Sequence, residues 1–222
     1  MNSCMGPLLT RQLIQGAVLE GDHSILPIVE ATVVNPKESS LKLNATIFLD
    51  TGASLSLIRN DTAAALGLNG TATTVTMGKI GGHEETFVTK IYTLLVQAVD
   101  KGPRYKVKAL GIPKICSDIE NMDTRSYAEQ FKLDPEKLRR GQGGEPDILI
   151  GVDHPKFHAS PTSVKGSIGV KFSILGPVIF GTEQIYENKQ KSEIICLQQL
   201  RHSSDVDLTD FWATEQIGRA HV

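Results

Sequence analysis

The sequence has little covalent or charged scaffolding. Its three cysteines, Cys4, Cys116 and Cys196, are odd in number and widely spaced, with no CxxC pair. That excludes a disulfide framework and a structural zinc site, and a reducing compartment fits best. An excess of one charge is also missing: 23 Lys plus Arg stand against 25 Asp plus Glu, for a formal net charge of −2. No global field draws such a chain to nucleic acid or anionic lipid. Nowhere do about 18 apolar residues follow one another. Met1 to Thr10 lacks the basic flank and apolar run of a secretory signal, so neither a span nor a signal peptide is read. No GxxxxGK[ST] or GxSxG occurs, and His83-Glu84-Glu85 lacks the second His of a zinc helix. No cofactor and no metal are implied, and there are no internal repeats or low-complexity tracts.

What is present is ordinary: 222 residues, 40% hydrophobic and 22% charged, enough for one full-sized core and one domain with tails. Three Asn-x-Thr triplets, at Asn44, Asn60 and Asn69, read as chance products of a Thr-rich stretch. From Ile25 to about Phe180 short strands alternate with turn residues, which predicts a β-rich domain. The first strand is Leu26 to Val34. The second, Leu41 to Leu49, starts with alternation and ends in the apolar run Ile47-Phe48-Leu49, as a strand does when it passes from half-exposed to buried. Leu55 to Ile58 is a third. Asn60 or Asp61 caps a short helix through Ala65 that Gly67 ends. Strand signals resume at Thr73 to Met77, and Thr86 to Val99 with Tyr105 to Leu110 predicts a hairpin turned at 100–103.

The β pattern stops between Asp118 and Arg140, where one or two short helices broken at Asp134-Pro135 read as an insertion with a flexible exit at Gly141 to Gly144. Strand character returns at Ile148-Leu149-Ile150 and through Ile168 to Phe180, and Thr182 to His202 reads as linker. His154 and His158 beside Asp153 have i,i+4 spacing, but Pro155 interrupts any helix through them, so an exposed loop is expected rather than a metal site. Lys137, Arg139 and Arg140 read as a solvated helix face.

The informative feature is Asp50-Thr51-Gly52-Ala53, directly after a buried apolar strand. A carboxylate there is costly unless it is paired, hydrogen-bonded or protonated. By itself the tripeptide also suits an Asx-type turn. Three segments taken in order point elsewhere: Phe48-Leu49-Asp50-Thr51-Gly52-Ala53-Ser54, the glycine-rich Gly78-Lys79-Ile80-Gly81-Gly82, and Asp147-Ile148-Leu149-Ile150-Gly151. Together they resemble the retropepsin branch of the aspartic peptidases, in particular the protease segment of BEL/Pao-type retrotransposon Pol polyproteins. Leu26-Pro27 and Leu175 to Gly181 are similar to that family as well.

The resemblance implies a mainly β, closed acid-protease barrel carrying a helical insertion at about 118–144. It makes Asp50, Thr51 and Gly52 catalytic, and Ala53, Ser54, Gly78, Ile80, Gly81 and Gly82 substrate-binding, with 78–82 as a flap over an extended peptide. Ile148, Leu149, Ile150 and Gly151 support the active-site loop. Two carboxylates about 3 Å apart share one proton and so serve as base and acid together. The chain has a single Asp-Thr/Ser-Gly triplet, so a homodimer with its site on the twofold axis is implied. Ser54 departs from the retroviral pattern, which has an Asp there to hold substrate backbone.

The expected layout is residues 1–24 as polyprotein linker, 25–182 as the peptidase domain and 183–216 as linker toward a reverse transcriptase. Leu208 to Glu215 resembles the stretch that leads there, and 217–222 looks like translated adapter sequence. The expected activity is endopeptidase cleavage of a retroelement polyprotein, in cytoplasm or a virus-like particle. Nucleic acid is met only through other parts of the polyprotein, and no membrane partner is expected. The alternative is a catalytically silent or host-adopted module for dimerisation or peptide binding. A ubiquitin-shuttle type of retropepsin-like protein is a third option, but no ubiquitin-like segment is visible.

Overall fold

The computed structural model describes residues 22–78, 84–141 and 143–184. Expectations for 1–21, for 185–222 and for Ile80, Gly81 and Gly82 lie outside the described residues. Of the described residues strands account for 48% and helices for 12%, so this part of the protein is mainly β. In chain order the elements are β1 (Asp22–Ile25), β2 (Ile28–Val34), β3 (Lys42–Leu49), β4 (Leu57–Arg59), α1 (Asn60–Ala65), β5 (Thr71–Gly78), β6 (Glu84–Ala98) and β7 (Tyr105–Ile112). They continue with α2 (Arg125–Phe131), β8 (Ile148–Ile150), β9 (Thr162–Lys165), β10 (Ile168–Ser173) and β11 (Gly176–Gln184). Single 3-10 turns stand at Pro135–Lys137 and Pro155–Phe157.

The larger sheet has the order β2-β3-β8-β4-β7-β6-β5, and β6 also pairs with β2 from Ala31↔Ala98 to Val34↔Leu95. The pairings of six strands therefore return to their start, and β5 is joined to β6 alone. Alternate residues of these strands, among them Val29, Ala31, Val33, Leu94 and Val96, fill one apolar cluster together with Ile47, Ile58 and Ile148, as the period of two along a strand requires.

A second sheet, β1-β11-β10-β9, is entirely antiparallel. Its first pairing, Asp22↔Gln184 to Ile25↔Gly181, carries strand structure beyond both expected limits, 25 and 182. Segments with weak strand signals acquire structure by pairing with each other. The edge strand β9 has no counterpart in the sequence reading, because Thr162 to Lys165 lacks an apolar alternation.

The segment expected as an insertion packs on this second sheet. Tyr127 and Ala128 of α2, with Leu138, meet Ile25, Ile168, Val170 and Ile179. At its base Ile119 and Gly144 exchange two backbone hydrogen bonds of 2.8 Å. A Cβ on Gly143 would stand 2.8 Å from Ile119 O, and its φ is +81°, so only glycine fits and the exit at Gly143 and Gly144 is fixed by pairing. Arg140, expected on a solvated face, is 8% exposed and donates from Nη1 to Leu26 O. Helix α1 starts at Asn60 with Arg59 in the cap position and no side-chain cap. Asp61 Oδ1 instead accepts Thr62 N at 2.7 Å.

Candidate active site

Asp50 stands where β3 ends. β8 lies between β3 and β4, parallel to the first (Ile47↔Ile148 to Leu49↔Ile150) and antiparallel to the second (Leu57↔Leu149, Ile58↔Ile148). The loop 50–56 therefore joins two strands that are not neighbours and crosses the end of β8. A strand so enclosed is buried on both faces and reads as a continuous apolar run, as Ile148, Leu149 and Ile150 do at 0%, 2% and 0% exposure.

Backbone hydrogen bonds hold the loop to this strand: Asp50 N donates to Ile150 O at 3.0 Å, and Val152 N to Ala53 O at 2.9 Å. Gly151 marks the closest approach. A Cβ there would lie 2.6 Å from Ala53 O and 3.0 Å from the Leu55 carbonyl carbon, which no side chain tolerates. Within the loop, Gly52 N donates to Asp50 Oδ1 at 2.8 Å, and this bond aims the half-buried carboxylate. Thr51, Gly52 and Ser54 are exposed, and Ala53 is half-buried.

β5 and β6, the strands on either side of the expected flap, pair antiparallel from Thr71↔Ile91 to Gly78↔Glu84, and β6 with β7 makes the hairpin expected from the sequence. Val75, Met77 and Phe87 of β5 and β6 pack with Ala53 against a cluster that includes Phe48, Leu57 and Leu149, so this strand pair and the loop 50–56 share one apolar face. Gly78 itself meets nothing within 4 Å of an ideal Cβ, so its lack of a side chain is not sterically required.

The other carboxylates at the two ends of β8 are committed. Asp147 Oδ2 accepts Thr46 N at 2.9 Å, and its Oδ1 accepts the Thr62 hydroxyl at 2.9 Å with Arg59 Nη2 at 3.4 Å. Asp153 accepts the Ser56 hydroxyl on Oδ1 at 2.7 Å and Ser56 N on Oδ2 at 3.0 Å. Glu145 takes Arg59 Nη1 at 2.8 Å and Lys114 Nζ at 2.6 Å. The Lys114 hydrogen bond, ahead of the Arg59 contacts, holds Glu145 below the usual carboxylate range, and the same bond raises Lys114.

Sequence reasoning missed the pairing of Ser56 with Asp153. Their separation of 97 positions carries no pattern, and the only available signal was a polar residue inside the apolar stretch Leu55 to Ile58. His154 and His158, expected in an exposed loop, are half-buried. His154 Nε2 lies 3.2 Å from both N and O of Lys108, and His158 Nε2 lies 3.0 Å from Gly151 O. Among the described residues no three His, Cys, Asp or Glu cluster as metal ligands would, and no helix is long and apolar enough to cross a membrane.

A family model described as "Putative peptidase (DUF1758)" matches residues 31–190, more than half of the chain. The chain belongs to that peptidase family. The matched region begins within β2 and contains Asp50, β8 and the whole of the segment packed on the second sheet. No curated protein matches the chain. The candidate site of this peptidase domain is the loop Asp50 to Ser56 with the strand that passes behind it.

Proposed function

We propose that this peptidase is an aspartic endopeptidase of the retropepsin branch, with a closed acid-protease barrel, and that it acts as a homodimer with one Asp50 from each subunit. The observation that carries this proposal is the placement of Asp50. Its carboxylate is oriented by the Gly52 N–H at the crossing over β8, in the only Asp-Thr/Ser-Gly triplet of the sequence. A lone carboxylate cannot both activate water and protonate a leaving amine in one step. Asp147 and Asp153 are engaged by strand and loop donors, so neither is free to be its mate.

In the dimer the two Asp50 side chains share one proton, since like charges about 3 Å apart do not both ionise. The ionised member takes a proton from water as its oxygen adds to the peptide carbonyl carbon. The protonated member hydrogen-bonds the carbonyl oxygen, and the C–N bond then breaks as a proton passes to nitrogen. Substrate is an extended polypeptide lying across the loop, under the β5–β6 hairpin, and the proposed natural substrate is a BEL/Pao-type retroelement polyprotein, cleaved in the cytoplasm or in a virus-like particle.

The test is purified full chain against a peptide mixture, with and without a hydroxyethylene transition-state mimic. Cleavage that the mimic blocks, and that Asp50→Asn abolishes while circular dichroism stays unchanged, is expected. Cleavage by Asp50→Asn at even about a tenth of the wild-type rate would place the chemistry on another residue.

A further inference from the structure

Besides the Leu110 N–H of β7 that Ser56 O accepts at 2.9 Å, the loop Asp50 to Ser56 is fastened to residues 150–153 at three places. Two are the backbone bonds of Asp50 to Ile150 and of Val152 to Ala53, which any sequence can make. The third is made by side chains at the loop's last residue. Ser56 donates its hydroxyl to Asp153 Oδ1 at 2.7 Å and its N–H to Asp153 Oδ2 at 3.0 Å, and its Oγ accepts Gly151 N–H at 3.0 Å. Among the described residues no other side chain from outside the loop bonds to it.

Ser56 is 1% exposed, so a donor left unpaired there has no water to turn to. Asp153 meets both donors with its two oxygens, an arrangement that fixes direction as well as distance. Its other polar neighbour, His154 Nε2, is 3.8 Å away, outside hydrogen-bond range. The carboxylate is therefore spent on the loop. Six residues upstream, the direction of Asp50 is set by the Gly52 N–H, so a shift at the loop's far end passes through a short chain to the reacting oxygen.

We propose that Asp153 is a positioning residue for Asp50, acting through Ser56 to hold the loop where the two Asp50 carboxylates of a dimer meet. This rests on Asp50 being catalytic. A misplacement of about 1 Å at a reacting group costs roughly 100-fold in rate, whereas a contact that only stabilises the fold changes the number of working sites and not their speed.

The variants are Asp153→Ala, Ser56→Ala, Ser56→Thr and the double Ser56→Ala/Asp153→Ala, all in the full chain, with working sites counted by titration against a hydroxyethylene mimic. Asp153→Ala and Ser56→Ala should lower kcat per titrated site by about tenfold or more while KM stays within about twofold. Ser56→Thr, which keeps the hydroxyl, should recover most of that loss, and the double variant should be no slower than the poorer single one. An unchanged kcat per titrated site in both single variants, whatever the loss of sites, overturns the proposal. If Asp153→Ala does not fold, the Ser56 pair carries the same decision. If the wild type cleaves nothing, the aspartic assignment fails, and amide exchange at Gly52 decides the positioning separately: faster exchange in Ser56→Ala than in Ser56→Thr supports it, and equal exchange overturns it.

Discussion

Asp147 and Asp153 look alike in the sequence, each beside the same apolar strand, yet they hold different things. Asp147 ties β3 to α1 through Thr46 and Thr62, and Asp153 ties the loop 50–56 to the chain after β8. A carboxylate's role is set by which donors it meets, and neither set of donors is near it in sequence. Tyr127 gives the same lesson with a measurable consequence. Burial first, and a hydrogen bond to Glu183 second, push its hydroxyl up to about 12. Because the folded value is raised, its contribution to stability is complete below the ordinary tyrosine value and is lost as pH rises toward 12. Ultraviolet titration of the native protein should show a late tyrosinate transition that Tyr127→Phe removes. A native profile without a late phase would mean that Tyr127 is not held as described. Cys116, pushed up by burial, should react slowly with thiol reagents in the native state.

Among the elements, β8 does the most with the fewest residues. Three apolar side chains place it between β3 and β4, and Gly151 then lets the loop pass over its end. Gly151→Ala would drive a Cβ into the backbone at Ala53 and Leu55, and should cost roughly 1–3 kcal/mol in urea unfolding. Gly78→Ala, with open space around it, should stay within about 0.5 kcal/mol. Equal costs for the two would contradict the close approach at Gly151. Lys114 after β7, Glu145 before β8 and Arg59 of β4 form a charge cluster at the opposite end of the same strand. Glu145 is held low, so its contribution is present above the ordinary glutamate value and fades as pH falls through the folded one. Both groups reach solvent, which keeps the effect small. Glu145→Gln should unfold less steeply on acidification than wild type, as followed by denaturant midpoints across the carboxylate range.

At the scale of the molecule the proposed half-site carries the consequence. If each subunit of the proposed dimer supplies one Asp50, specific activity must fall on dilution below the dimer dissociation constant. Sedimentation and activity measured over the same concentration series should fall together. Activity that holds constant where only monomer sediments would remove the shared dyad. The segment packed on the second sheet bears on this as well. Its apolar side is taken up by Ile25, Ile168, Val170 and Ile179, so within one chain it completes a core.

The sequence by itself determined the local events. The apolar run ending at Asp50, the turn at Gly67, the hairpin from β6 to β7 and the buried strand at Ile148 to Ile150 all follow from side-chain period and turn chemistry, which act over a few residues. It also marked Asp50, because a carboxylate after a buried strand is anomalous without any structure. What only the tertiary structure decided depends on distant partners. The pairing of β1 with β11 organises segments whose own signals are weak. The burial of Arg140 takes one member of a basic cluster into the interior while Lys137 stays exposed, and the bonds from Ser56 to Asp153 fix the loop from 97 positions away. Local propensity says how a segment bends, but a buried hydrogen bond is specified by two groups whose meeting only the completed fold arranges.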